Sequence, residues 1–355
     1  MQINRTKKKD GSTVIRCNIR NMITGHVRIE NGDTVIEGKN KITNNLVLSL
    51  ANFISSSRAA DTDTLCMNRG YTSTTYVWIY LGEDTTTPTT ASTTNLVSAI
   101  GPTKCSSITS TGRTDGNNYY IQWMGTFNPG TVSGTVGEMG LYMRGKANQL
   151  EAAGTNYANN ATYMQARFSV ADGEFAAFTI DETKPVVISW TLKFTSDGIF
   201  TNYMVRAIAN AVGASSNSAA INLPTYGWAS KTTYMVIGTD TITLNTPTDT
   251  ALGSPIGTPP GTKPTMQSFS TTLIDTGEYK MTLTGQWAAG TVSGTVGEIG
   301  LYLYGDGALR VPSAPSYGLY FAARLSAADE HFDSFAIDTG KNLIIIWDIY
   351  VTFQT

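Results

Sequence analysis

A nine-residue segment occurs twice in this chain without a single change. Residues 130–138 read Gly-Thr-Val-Ser-Gly-Thr-Val-Gly-Glu, and residues 290–298 repeat that sequence in full. Both copies continue through Met or Ile into Gly-Leu-Tyr. An internal repeat indicates one structural unit present twice, and overlooking it would misassign the whole fold. Features present in both copies are therefore expected to be scaffold, and specialisation is expected where the copies differ.

The repeat extends well beyond this glycine-rich segment, at an offset of about 157 to 160 residues. The matched segments are Thr43-Asn44 with Thr201-Asn202, Tyr119 with Tyr279, Ala166-Arg167 with Ala323-Arg324, and Trp190 with Trp347. The offset drifts only across stretches rich in Gly, Pro, Ser and Thr, where insertions fall in surface loops. We therefore predict a leader, residues 1–41, a first module, residues 42–197, and a second module, residues 198–355.

The composition favours strands and turns. Charged residues make up 15% of the 355 residues and hydrophobic residues 41%, and the chain contains 34 glycines. Such a composition is typical of a strand-rich protein. Period-2 alternation along residues 186–194 and 343–353 predicts one strand in each module, with Trp190 and Trp347 as core anchors.

One short amphipathic helix is predicted at the start of each module, because apolar residues recur at helical spacing over residues 43–54 and 202–212. The expected fold is mainly β, with two tandem antiparallel β-sandwich modules, each carrying that helix, and a β-rich N-terminal segment. Closure of the strands into a barrel remains the alternative.

The leader is basic, with nine Lys or Arg against four Asp or Glu, although the whole chain has a net charge of -2. A hairpin is predicted around Asn31-Gly32-Asp33. The leader is interpreted as a docking segment, with Arg5, Lys7, Lys8 and Lys9 as candidate contacts, and a frayed charged terminus is the alternative. The overall charge argues against nucleic-acid binding.

Cysteine and histidine are too scarce to suggest a reactive centre. Cys17, Cys66 and Cys105 have no counterparts in the second module, which predicts free thiols in a reducing compartment. Because the chain has only two histidines, His26 and His331, we predict no metal, no cofactor and no nucleophilic triad. Without a secretion signal or a run of 18 apolar residues, the chain is expected to be made in the cytoplasm and to have no membrane span.

The glycine-rich segment invites comparison with a phosphate-binding loop. Such loops place Lys where this chain has Glu138, and they open a helix, whereas an apolar strand follows here. The glycines are therefore predicted to form turns or bulges and to permit close approach between strands.

Glu138 and Glu298 are the candidate site residues, because each begins an apolar strand. A carboxylate entering a sheet needs donors, and a bidentate guanidinium is a good partner. Arg167 and Arg324 follow at matching places, so we predict structural ion pairs between Glu138 and Arg167 and between Glu298 and Arg324.

Catalytic carboxylates are the competing interpretation of these two glutamates. They would require a second acid at the spacing found in glycosidases. Asp181 and Asp338 recur, but each precedes a lysine in a turn context. The sequence therefore favours a non-enzymatic protein.

The order of these segments resembles the repeated modules of tailed-bacteriophage tail-fibre and related tail proteins. Gly-Glu-Met/Ile-Gly-Leu-Tyr, then Ala-Arg, then a closing strand with a central Trp carry the resemblance, which spans nearly all of residues 42–355 twice. It implies a structural role on the virion, symmetric oligomerisation and contacts with other virion proteins. Fibre proteins often continue into long shafts, and this chain ends at the Trp347 strand, so tail tip, collar and capsid decoration all stay open.

Two expectations concern partners. A trimer of a two-module chain would present six similar domains and could cap a sixfold structure, so a homotrimer is favoured. A receptor-binding adhesin is the alternative, with Tyr226 and Trp228 stacking on a host surface glycan. In the competing interpretation, Trp228 packs on its own module.

Overall fold

The computed structural model describes residues 2–7, 13–20, 23–43, 46, 77–90, 92–101, 104–115, 118–144, 162–195, 199–201, 233–246, 248–257, 261–275, 278–306 and 317–352. This part of the chain is mainly β, with antiparallel sheets, as the composition predicted. Most residues of the two predicted helices lie outside it, and so do Lys8, Lys9, Cys66, Tyr226 and Trp228.

The strands are β1 (Gln2–Lys7), β2 (Thr13–Arg20), β3 (Ile23–Asn31), β4 (Thr34–Ile42), β5 (Val77–Gly82), β6 (Ser107–Asp115), β7 (Asn118–Phe127), β8 (Thr135–Val136), β9 (Glu138–Arg144), β10 (Thr162–Ser169), β11 (Phe178–Thr179), β12 (Val186–Thr195), β13 (Thr233–Gly238), β14 (Met266–Asp275), β15 (Glu278–Trp287), β16 (Thr295–Val296), β17 (Glu298–Asp306), β18 (Tyr317–Ser326), β19 (Phe335–Ala336) and β20 (Leu343–Thr352). Two short 3-10 helices, Val170–Asp172 and Ala327–Asp329, follow β10 and β18.

The first half forms one antiparallel sheet of eight strands in the order β5-β9-β10-β4-β3-β12-β7-β6. β4 joins its two parts, pairing with β3 on one side and with β10 on the other. On the opposite side, Cys105 N donates to Ile79 O in β5 at 3.1 Å, and Ser106 N donates to Thr126 O in β7 at 2.7 Å. The sheet therefore bends back on itself through backbone hydrogen bonds on both sides.

The second half repeats this arrangement with two separate sheets. One has the order β13-β17-β18, and the other joins β20, β15 and β14 to the leader strands β1 and β2. A bridge between Phe200 and Ala323 takes the place that β4 occupies in the first half. Thr201 N donates to Ala322 O at 2.9 Å, just as Thr43 N donates to Gln165 O at 2.9 Å, and both threonines are fully buried.

The leader is divided between the two halves. β3 and β4 form the predicted hairpin, which turns at Gly32 with a φ of 60°, and β3 pairs with β12 in antiparallel orientation. β1 and β2, which contain Arg5 and Lys7, form a second hairpin that pairs with β20. The β2–β20 pair is the one parallel pair among the described strands. β1 and β2 thus belong to the sheet of the second half, although they precede the first half in sequence.

Alternation along β12 and β20 sets the core. Trp190 and Trp347, the predicted anchors, are both fully buried, and each lies opposite a second aromatic or aliphatic core residue on the neighbouring strand. Buried apolar side chains of both halves belong to one connected hydrophobic cluster. Among the described residues, no helix has the length and apolar character needed to cross a membrane.

Candidate functional site

A buried ion pair lies where β9 begins beside β10. Glu138 is the first residue of β9. Arg167, in β10, lies opposite Gly140 of β9, so the side chains of Glu138 and Arg167 are diagonal neighbours. Both side chains are fully buried. Arg167 Nε donates to Glu138 Oε2 at 2.8 Å, and Nη2 lies 2.6 Å from the same oxygen. The structure thus brings together the two residues that the sequence paired.

Both guanidinium contacts are to one carboxylate oxygen, and the other oxygen has different donors. Glu138 Oε1 accepts from the backbone amides of Val97 and Ser98, each at 2.8 Å. These amides belong to the Thr-rich loop, residues 83–98, that follows β5. A buried carboxylate needs several donors to offset its desolvation, and here the sheet and the loop supply two each. Glu138 therefore fastens the loop to the sheet.

The remaining guanidinium nitrogens of Arg167 reach the start of the same loop. Nη1 donates to Thr87 O at 2.7 Å, and Nη2 donates to Asp84 Oδ2 at 3.2 Å. Burial would raise the pKa of the Asp84 carboxyl, but hydrogen bonds from the Thr86 hydroxyl and from the Thr87 and Thr86 amides outweigh it and lower that pKa to about 2. Asp84 is therefore ionised at neutral pH. Its carboxylate stabilises a turn at the start of the loop by accepting from the backbone amides of Thr86 and Thr87.

A second carboxylate fixes the middle of the loop in the first half. Asp172, at the end of the short 3-10 helix after β10, accepts from the backbone amide of Thr89 at 2.9 Å and from its hydroxyl. Lys41 Nζ in β4 lies 3.4 Å from the same carboxylate. We name Asp84, Glu138, Arg167 and Asp172 the first buried cluster.

The second half contains an equivalent arrangement. Arg324 Nε donates to Glu298 Oε2 at 3.0 Å, and Nη2 lies 2.8 Å from that oxygen. Glu298 also accepts from the amides of Gly253, at 3.0 Å, and Ser254, at 2.7 Å, in the loop after β13. Both predicted partners are again brought together, with the same division of donors between sheet and loop.

Arg324 binds two further carboxylates. Nη2 lies 3.3 Å from Asp240 Oδ2, and Nη1 lies 3.1 Å from Asp249 Oδ2. Asp329 Oδ2 accepts from the backbone amide of Asn245 at 2.8 Å, which matches the role of Asp172. We name Asp240, Asp249, Glu298, Arg324 and Asp329 the second buried cluster.

The last glycine of each exact repeat lets these loops approach. Gly137 N donates to Gly82 O at 2.8 Å, and Gly297 N donates to Gly238 O at 2.9 Å. A Cβ on Gly137 would lie 2.6 Å from Asp84 O, and one on Gly297 would lie 2.4 Å from Asp240 O. The glycine-rich segment thus allows close backbone approach, as its sequence predicted, and places the aspartate within reach of the arginine.

Asp181 and Asp338, the two acids considered for the competing catalytic interpretation, both lie in turns. Asp181 accepts from the amide and hydroxyl of Thr183, and Asp338 accepts from the amide of Gly340, so both stabilise turns. Within the described ranges, no group of three or more His, Cys, Asp or Glu side chains is arranged to hold a metal ion. What the two clusters do chemically is to hold a long surface loop against a pair of strands.

The sequence interpretation missed the aspartates that complete the clusters, Asp84, Asp172, Asp240, Asp249 and Asp329. A signal for two of them was present, because Asp84-Thr and Asp240-Thr each follow an aromatic or apolar strand at an offset close to that of the repeat. Comparison of the chain with protein-family models, with curated proteins and with solved structures finds no match in any of the three.

Proposed function

We propose that this protein is a non-enzymatic structural component of a tailed-phage virion, built from two tandem sandwich-type modules and assembled as a symmetric oligomer. A tail position, as fibre, tip or collar protein, is favoured by the motif resemblance. One observation carries the structural role: each half commits its buried carboxylate and guanidinium to fastening a loop, and does so in the same way twice.

The bonding of the two glutamates supports a structural role over a catalytic one. A general acid or base must exchange protons with a substrate and needs a pKa near the working pH. Each oxygen of Glu138 already accepts two protein donors, and the pKa of Asp84 lies at about 2. Such an arrangement suits a permanent ion pair inside a scaffold.

The exposed tips of the two loops differ, as expected if partners are contacted there. Ile242 and Leu244, in the loop of the second half, have exposed fractions of 85% and 59%. The corresponding positions of the first half carry Thr86 and Pro88. Exposed large apolar side chains on a rigid loop are typical of contact sites with other proteins.

Labelling of intact particles tests the location. Antibodies raised against the purified chain should label the tail of virions under the electron microscope. Label confined to the head would replace the tail assignment with capsid decoration. Virions in which mass spectrometry detects no peptide of this chain, and which carry no label, would reject the virion role.

Mass measurement tests the assembly. Light scattering on the purified protein as it leaves a size-exclusion column should give a mass of about 114 kDa, three times the chain mass of 38.1 kDa. Three chains would present six modules in a ring, with threefold symmetry matched to a sixfold partner. A ring of another number of chains in assembled particles would reject the trimer and leave the virion role to be judged by the labelling.

A further inference from the structure

Equivalent strands of the two halves have edges that are occupied in different ways. The edge of β12 is paired with β3, which continues into β4 and so into the rest of the first half. The edge of β20 is paired with β2, whose other partner in the described part is β1 alone. The hairpin β1–β2 is therefore held in the sheet through β20, by strand addition.

One position on β20 distinguishes this edge. Asp348 is fully buried, and its Oδ1 accepts from the Thr282 hydroxyl at 2.6 Å. The corresponding residue in β12 is Thr191, which is only half-buried and accepts from Gln122. A buried carboxylate in a sheet needs a compensating positive or donor-rich neighbour.

The register of β2 supplies such a neighbourhood. Asn18 lies opposite Asp348, and Arg16 and Arg20 lie two positions to either side, on the strand positions that share its face of the sheet. The alternate positions of β2, Ile15, Cys17 and Ile19, pair with Ile345, Trp347 and Ile349, which are fully buried in β20. A slip by one residue would place the arginine positions of β2 opposite these buried apolar positions, so the sequence pattern specifies one register.

The spacing of the strand ends along the chain favours strands β1 and β2 supplied by the same copy. Arg20 pairs with Tyr350 and Ile23 pairs with Phe194, so the chain passes from one half to the other between residues 20 and 23. Three peptide units span at most roughly 10 Å. The other passage, from Thr195 to Ile199, starts at the same end of β12. Two short neighbouring passages suit a hairpin that folds onto its own chain.

We propose that the edge of β20 is a strand-acceptor site for this chain's own strands β1 and β2, and that Asp348 selects this strand pair and its register through the basic positions Arg16 and Arg20. The bound strand β2 covers Leu343–Tyr350, eight residues of a largely apolar strand edge that would otherwise invite pairing with other chains. Because β2 pairs with β20 and the next strand, β3, pairs with β12, the leader also links the sheets of the two halves. The site does not depend on the virion role.

Disulfide trapping in the full-length chain tests the site. With the native cysteines replaced by alanine, Ile19→Cys combined with Ile349→Cys should form a disulfide within one chain, since register partners lie within bridging distance and both arginines are kept. Ile19→Cys combined with Ile345→Cys is the matched control, four positions out of register, and should stay reduced. Bridges between chains on a non-reducing gel, or no bridge in the in-register pair, would overturn the proposal.

Hydrogen exchange tests the role of Asp348. Asp348→Asn keeps an acceptor for Thr282 and removes the charge, so the amides of residues 13–20 should exchange at least about tenfold faster, the effect of losing roughly 1.4 kcal/mol. Thr191→Asp, at the matching position of the first half, should leave those amides unchanged. Arg16→Gln combined with Arg20→Gln should reproduce the acceleration. Unchanged exchange in Asp348→Asn, with the chain folded, would show that the charge does not select the hairpin.

Discussion

The two buried clusters share an ion pair and two aspartate positions, Asp84 with Asp240 and Asp172 with Asp329, and they differ at the remaining nitrogen of the arginine. In the first half, the remaining guanidinium nitrogen donates to Thr87 O, and Lys41 adds a positive charge nearby. In the second half, the corresponding nitrogen of Arg324 contacts Asp249, and the residue at the position equivalent to Lys41 is Ile199. The shared part is therefore the scaffold, and the charge balance around it has been free to change.

The largest expected effect is the loss of either arginine, because its removal leaves a buried glutamate without its partner. Arg167→Ala should cost about 3–5 kcal/mol of unfolding free energy, the range for breaking a buried pair. Arg324→Ala should cost more than Arg167→Ala, since Asp240 and Asp249 also depend on it. Urea unfolding, followed by hydrogen exchange in β9 and β17, would separate the two halves.

Arg28 provides the control for that comparison. It contacts Glu30 and Glu37, but its side chain has an exposed fraction of 42%. Exposed pairs contribute about 0–1 kcal/mol. If Arg28→Ala destabilised the protein as much as Arg167→Ala, burial would not be the cause of the difference.

Glycines of the exact repeat should rank next, in an order set by their surroundings. Gly297→Ala places a Cβ against Asp240 O and should cost up to roughly 3 kcal/mol, the upper end for overpacking. Gly290→Ala meets nothing within 4 Å, so only its φ of 79° opposes the change, at a cost of roughly 1 kcal/mol. Thermal unfolding gives the ranking. Faster exchange in the loop after β13 is expected for Gly297→Ala alone, and equal loop exchange in both variants would contradict the close-approach argument.

How far the sequence predicted this site depends on the repeat. Glu138 and Arg167 could be paired because both recur with Glu298 and Arg324, and a carboxylate at the start of an apolar strand must find a donor. Asp84, Asp240 and Asp249 lie 83, 84 and 75 residues before their arginine, in loops whose composition indicates only a turn. Local pattern cannot show which turn residue reaches back into the core.

The fold shows the same limit at the leader. The hairpin at Gly32 forms as its turn sequence indicated. The parallel pairing of β2 with β20 joins opposite ends of the chain and has no counterpart in the repeat. Period-2 patterns identify strands but carry no partner information over that separation.

Acid stability should depend on Asp84 in the first half. Its pKa in the folded chain is about 2, below the ordinary 3.8, so its contribution is complete above pH 3.8 and is lost as the pH falls towards 2. The stability difference between the natural chain and Asp84→Asn should therefore shrink across that range. The pKa of Asp240 is also lowered, by hydrogen bonds from Thr243 and Ile242 that outweigh burial, so Asp240→Asn should behave in the same direction. A pH-independent difference for both would contradict the assignment.

A smaller effect is expected at the position where the clusters differ. Asp249 and Thr93 both accept from the backbone amide three residues before them, so Asp249→Thr should keep the turn and lose only the contact with Arg324. The expected cost is about 1 kcal/mol, because Glu298 and Asp240 remain as partners. Thr93→Asp in the first half is the reciprocal change. A cost as large as that of Arg324→Ala would mean that Asp249 is part of the shared scaffold after all.

The smallest expected effect concerns the residue after each 3-10 helix. Gly173 has a φ of 76°, and Glu330, at the corresponding place, has a φ of 57° and is the one described residue other than glycine with a positive φ. A left-handed conformation costs a residue with a Cβ about 1 kcal/mol, while glycine loses part of that advantage in the unfolded chain. Glu330→Gly should therefore stabilise the second half by roughly 0.5 kcal/mol, and Gly173→Glu should destabilise the first half by roughly 1 kcal/mol. If calorimetry gives changes in unfolding free energy of opposite sign for the two variants, the backbone conformation is the cause. Destabilisation by both changes would mean that the Glu330 side chain makes a contact that stabilises the fold by more than the cost of its left-handed backbone.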